Sequence, residues 1–150
     1  QLVRDIFDDA TAEPLLSLIA VENQKTAGHI LFSKVRITGT SETVSAQILA
    51  PLAVLPDFQK TGLGTNLINK GLDLLRKSGV GLVFVLGHPD YYPRCGFTPA
   101  GVLGYEAPYH IPQEHAGAWM VKELCPGIIG RVKGKLQCCE ALNQPEHWRE

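Results

Sequence analysis

The stretch from Pro51 to Thr65, Pro-Leu-Ala-Val-Leu-Pro-Asp-Phe-Gln-Lys-Thr-Gly-Leu-Gly-Thr, limits what this chain can become more than any other. An apolar segment ending at Leu55-Pro56 runs into a loop carrying Gly62 and Gly64, and a long amphipathic pattern starts between Thr61 and Thr65. That is a strand handing the chain to the start of a helix. The first turn of a helix leaves main-chain N–H groups without internal acceptors, and the helix dipole puts its positive end at the same place. Such a junction is a ready seat for a pyrophosphate.

Two familiar phosphate loops fail on spacing. A Walker A loop needs its lysine directly after the second glycine, so that the ammonium reaches the terminal phosphates. Here Lys60 precedes both glycines and Thr65 follows Gly64. A dinucleotide fingerprint needs a third glycine to let helix and strand pack closely. Leu67 stands at that position. Neither a nucleotide triphosphatase nor a nicotinamide enzyme is supported.

Gln59, Gly62 and Gly64 do fit Gln-x-x-Gly-x-Gly. The pattern resembles motif A of the GCN5-related N-acetyltransferases (GNAT), which hold the pyrophosphate of acetyl-CoA on such a loop. The preceding Leu52-Ala53-Val54-Leu55-Pro56 is similar to the family strand that ends in Val-x-Pro. Beyond the helix come the apolar run Gly81-Leu82-Val83-Phe84-Val85-Leu86 and then Tyr92-Pro93-Arg94-Cys95-Gly96-Phe97, which matches the family's motif B, Tyr-x-x-x-Gly-Phe. The fuller run from Val85 to Phe97 resembles the YhbS-type branch. The resemblance covers residues 15–121 well and the C-terminal part more loosely.

The resemblance implies the GNAT acyl-CoA N-acyltransferase fold, α/β (α+β in some schemes): a mixed, mostly antiparallel sheet flanked by helices. Its fourth and fifth strands splay apart and admit the pantetheine arm. Residues 1–150 read as one such domain, with 126–150 a loop-rich extension. Family members begin with a strand and a helix ahead of the position matched to Gln1, and this chain reads as lacking them.

Composition agrees with that class. The length suits one domain with a proper core. Fourteen basic against fifteen acidic residues leave a net charge of −1 with no basic block, which argues against a general nucleic-acid binder. No apolar run approaches the roughly eighteen residues of a membrane span. Asp5, Asp8 and Asp9 interrupt any signal-peptide core. Cys95, Cys125, Cys138 and Cys139 lack paired spacing and read as reduced thiols, so the expected location is cytoplasmic. His110 and His115 do not share a helical face, and no metal site is expected.

Periodicity orders the rest of the chain. Residues 1–9 suit a helix, 15–22 and 28–38 a hairpin around a polar turn at 23–26, and 44–54 a third strand. Pro51 cannot donate a ladder hydrogen bond, so that strand should bulge there. A helix from about Thr61 to Lys77 turns Leu63, Leu67, Ile68, Leu72, Leu74 and Leu75 mainly toward the sheet, and Gly79 ends it. Residues 82–86 are apolar on both faces, hence covered on both sides. Pro89 to Arg94 suits a short helical turn. Phe97, Val102, Tyr105 and Trp119 to Val121 suggest further strands and core.

Acetyl transfer to an amine needs an acid for the leaving thiolate and a neutral nucleophile. By resemblance, Tyr92 is the general acid, with Tyr91 the neighbouring alternative, and His88 is a base-like residue whose ordinary titration range suits proton removal. The cofactor acetyl-CoA would be held by the backbone near Leu52, Ala53 and Val54. Gln59, Lys60, Thr61, Gly62, Leu63, Gly64 and Thr65 would hold its pyrophosphate. The implied reaction moves an acetyl group directly to a primary amine of a small molecule or protein, with neither nucleic acid nor membrane as partner. A homodimer stays open. The alternatives are a non-catalytic acyl-CoA-binding or sensing module and a structural domain with a degenerate pocket.

Overall fold

The structure, a computed structural model, describes residues 1–148. After helix α1 (Leu2–Phe7), strands β1 (Leu16–Glu22) and β2 (Lys25–Thr38) form the expected hairpin. Its turn is tighter than the polar run suggests. Asn23 and Gln24 both take positive φ, 50° and 66°, and Glu22 pairs directly with Lys25. That two-residue geometry matches the right-handed twist of the strands, so β2 starts before Gly28.

Strand β3 (Ala46–Val54) pairs antiparallel with β2, and the register slips opposite Leu31. Phe32 faces Leu49 and Ile30 faces Leu52, leaving Ala50 and Pro51 as the extra residues of a bulge. The missing N–H of Pro51 thus becomes a break in the ladder at the expected place. Helix α2 (Leu63–Lys77) then crosses to β4 (Leu82–Leu86), which lies parallel to β3. Short strands β5 (Thr98–Pro99) and β6 (Tyr105–Glu106), then β7 (Trp119–Glu123) and β8 (Gly134–Gln137), complete the sheet. The order is β5-β7-β4-β3-β2-β8-β6, with β1 on the edge of β2 that β8 continues. All pairings are antiparallel except β3 with β4 and β6 with β8.

Both faces of this sheet are covered, and β4 shows it directly. Val83 and Val85 pack with Leu67, Ile68, Leu72 and Leu75 of α2, while Leu82 and Phe84 enter the opposite core. Helix α2 ends as its sequence demands: Gly79 takes φ 95°, and Arg76 and Lys77 pair with Asp73 at 2.6 and 3.0 Å in the last turns. Among the described residues no helix is long and apolar enough to cross a membrane.

One reading needs correction. Val102 is 87% exposed on a 3₁₀ turn, Gly101–Leu103, and belongs to no strand or core. Residues 126–148 are loop-rich in backbone, and they also contribute to the core. Strand β8 pairs with β2, and Ile128, Val132, Leu136, Leu142 and Trp148 build the core opposite α2. Their weak pattern hid this, because the buried side chains come from turns with neither helical nor strand period. The final two residues of the expected tail lie outside the described ones.

Candidate active site

The site begins where β3 and β4 part. They pair only at Ala46 with Leu82, Gln47 with Val83 and Ile48 with Phe84. From Leu49 to Val54, β3 has no strand on that edge among the described residues, so its main-chain groups there face an opening. The bulge at Pro51 sits within this unpaired half, and a strand bends at such a bulge. Beyond Val54 the chain turns through Pro56–Phe58 and reaches α2 through Lys60 at φ 63° and Gly62 at φ 88°.

The left-handed Gly62 is the N-cap of α2 and offers no side-chain acceptor. The first hydrogen bond of the helix is Asn66 N to Gly62 O at 3.0 Å. The N–H groups of Leu63, Gly64 and Thr65 therefore have no acceptor among the described residues, and they stand at the positive end of a fifteen-residue helix. No acidic residue of the first turn competes with an incoming anion.

These groups open onto a cleft of about 450 Å³ lined by Leu52, Val54, Phe58, Gln59, Lys60, Gly62, Gly64, Thr65, Tyr91 and Arg94. Lys60 and Arg94 bring two cations to it, and neither enters an ion pair among the described residues. Gln59 braces the loop, its Nε2 donating to Val54 O at 3.0 Å. Leu52 and Val54 share one face of β3 by strand alternation, which turns the side chain of Ala53 to the other face. Thr61 spends its hydroxyl on Phe58 O. Leu63 leans toward Gly28 on β2. Ala53, Thr61 and Leu63 are thus present through their main chain rather than as lining side chains.

Tyr91 lies closer to the start of α2 than its neighbour does. Its hydroxyl is 3.5 Å from Thr65 Oγ1, and a Cβ added to Gly64 would stand 2.5 Å from that oxygen. Only a glycine admits the phenol there. Tyr92 is buried, packed edge-on to Tyr91 and Phe97, with its ring against Gly87. Burial, aided by Tyr91 and Cys95, pushes its phenol from 10.0 up to about 12. Its hydroxyl has no hydrogen-bond partner among the described residues, yet it is not one of the fully enclosed unpartnered atoms, which are Ser33 Oγ, Gln47 Oε1 and Tyr105 OH. The ring is sheltered while the oxygen still meets open space.

His88 stands apart from the cleft. Its side chain is 71% exposed, Nδ1 accepts from Asp90 N at 3.3 Å, and it lines a separate small cavity. Arg94 and Phe58 are cleft residues that sequence reasoning passed over. Arg94 occupies a variable position of Tyr-x-x-x-Gly-Phe, where only the folded turn shows which way it points.

A model of the Acetyltransferase (GNAT) family matches residues 1–97, and YjhQ of Escherichia coli K12, described as an N-acetyltransferase, is 48% identical over 140 residues. This chain belongs to the GNAT family. The alignment covers 93% of the chain and 77% of YjhQ. Among solved structures, YhbS of Escherichia coli in complex with CoA superposes with a TM-score of 0.84 at 30% identity, over 95% of this chain and 76% of that one. A GNAT acetyltransferase of Brucella melitensis in complex with acetyl-CoA gives 0.71 at 29%, over 94% and 75%. The splayed strands of the GNAT fold are β3 and β4 here. The turn from Gln59 to Thr65 leads from β3 into α2.

Proposed function

We propose that this GNAT enzyme transfers the acetyl group of acetyl-CoA directly to a primary amine. One observation carries the reading: an uncapped helix N-terminus opens onto the same cleft as the unpaired edge of β3. A diphosphate takes the free N–H groups of Leu63, Gly64 and Thr65, with Lys60 and Arg94 supplying charge. The pantetheine amides take the role of a missing strand along Leu52 to Val54, since an exposed strand edge offers alternating donors and acceptors.

The chemistry then needs two proton transfers. His88 removes a proton from the incoming ammonium, and the amine lone pair forms the N–C bond to the thioester carbonyl. The C–S bond breaks with its electron pair going to sulfur. Tyr92 gives its phenolic proton to that sulfur and regains one from the transferred amide nitrogen through solvent. The sum is amide, free thiol and the one proton taken by His88. A phenol held near 12 stays protonated at neutral pH, as a donor must. His88 reaches the amine through its exposed side chain.

The test is incubation with acetyl-CoA and a panel of amines, following thiol release with a chromogenic reagent and product by mass. Acetyl-CoA binding with thiol release that depends on an amine supports transfer. Tight binding with no acetylated product on any amine would identify an acyl-CoA sensor instead.

A further inference from the structure

A second cavity lies across the turn that bears Tyr92. Gly87, His88 and Pro89 form one wall of it, and Glu114, His115, Gly117 and Ala118 form the other, enclosing about 230 Å³. The two walls are tied at the end of β4, where Leu86 pairs with Trp119 and Gly87 N donates to Ala118 O at 2.9 Å. Residues 87–94 therefore border two openings. Tyr91 and Arg94 face the cofactor cleft, and Gly87 to Pro89 face the small cavity. Tyr92 is wedged against Gly87 so closely that a Cβ there would strike its ring.

The lining is chemically selective. It holds one carboxylate and two imidazoles, with no lysine or arginine. Glu114 is exposed in the first turn of the 3₁₀ segment Gln113–Ala118, and His115 beside it is half-buried. Among the described residues Glu114 makes no ion pair. A free carboxylate in a cavity lined by two imidazoles offers acceptors to an ammonium group, and the volume admits an aliphatic amine. Gly117 and Ala118 keep the floor open.

We infer that this cavity receives the acceptor's primary ammonium group, with Glu114 as the specificity-determining carboxylate and His115 as a second contact. The inference rests on the amine-transfer reading and deepens it. It puts His88, which lines this cavity and not the cofactor cleft, beside the amine from which a proton must be removed. The ammonium can belong to a small amine or to a lysine side chain, and the two share this chemistry.

The experiment uses the whole chain saturated with CoA and follows its histidine side-chain signals by NMR at mildly alkaline pH. Probes are n-butylamine, its neutral isostere n-butanol, and a short lysine peptide with blocked termini. Butylamine or the peptide should shift the His88 and His115 signals saturably, leaving His29 and His147 unmoved, while butanol has no effect. A response to the peptide alone assigns a protein acceptor, and a response to butylamine assigns a small one. Glu114→Gln should raise the amine midpoint about tenfold, the usual scale for removing charge from a charge-assisted hydrogen bond, with CoA affinity unchanged. No shift at His88 and His115, an equal response to butanol, or an unaltered midpoint in Glu114→Gln overturns the assignment. Shifts at His88 and His115 with no acetylated product when acetyl-CoA replaces CoA would instead sink the transfer reading and leave amine binding in the cavity standing.

Discussion

Tyr91 and Tyr92 are neighbours with opposite surroundings, and the contrast separates two functions that their sequence cannot. Tyr91 reaches Thr65 and the crowded Cα of Gly64, whereas Tyr92 is buried with its phenol near 12. Tyr92→Phe should lower kcat by about 10²–10⁴-fold, the usual share of one positioned acid, with acetyl-CoA affinity unchanged by calorimetry. The same phenol links to stability. Its folded value lies above its ordinary 10.0, so its contribution is complete below pH 10 and disappears as pH rises toward about 12. Urea unfolding across that window should show a steeper loss in wild type than in Tyr92→Phe. Gly62→Asp acts on the other half of the site. A side chain is strained at φ 88°, and a carboxylate beside the free N–H groups repels phosphate, so CoA affinity should fall by more than about tenfold. The loop glycines were legible in sequence because their spacing carries the geometry. Arg94 was not, because the direction of a turn side chain depends on what packs behind it.

Helix α2 and strand β3 show what a pattern reveals about an element. Of the six apolar residues expected to turn toward the sheet, Leu67, Ile68, Leu72 and Leu75 are buried and Leu63 and Leu74 are half-buried. The same helix also buries Gly64 and Gly71, whose role no periodicity announces. Gly71 lies against the Phe32 ring so closely that a Cβ would collide with it. Gly71→Ala should therefore cost about 1–3 kcal/mol by overpacking, despite alanine's better helix propensity. Denaturant midpoints would measure it, and a midpoint equal to or above wild type would contradict the packing. Pro51 announced the break in β3. That β4 leaves β3 after Ile48 depended on the partner strand and on α2, which no local window contains.

The molecule as a whole is closed by contacts between its two ends. Asp9 accepts from Thr11 N at 2.9 Å and from Ala141 N at 2.8 Å, stitching the turn after α1 to the C-terminal segment. Burial alone would raise this carboxyl, but the hydrogen bonds from Thr11 and Ala141 outweigh it and hold it below the ordinary 3.8. The stability it provides is complete above that value and is lost as pH falls through the folded one. Asp9→Ala should cost about 1–2 kcal/mol at neutral pH, as loss of a capping carboxylate does, and less at strongly acid pH. Chemical unfolding at both pH values checks the sign. Trp148 closes the same region from the far end, buried edge-on against Trp119 with its Nε1 donating to Leu142 O at 2.8 Å.

Local order was written into the residues. Hydrophobic period set β1 to β4 and α2, Pro51 set the bulge, and Gln59, Gly62 and Gly64 set a turn with free amides, because each follows from backbone chemistry within a few positions. Folding alone chose which strand edge stays bare, which tyrosine sits against the start of α2, and how residues 126–148 fill the second core. It also brought Glu114 and His115 beside His88, residues with no shared period or motif. Those outcomes rest on contacts between distant segments, whose energies depend on shape and burial in three dimensions rather than on the order of neighbours along the chain.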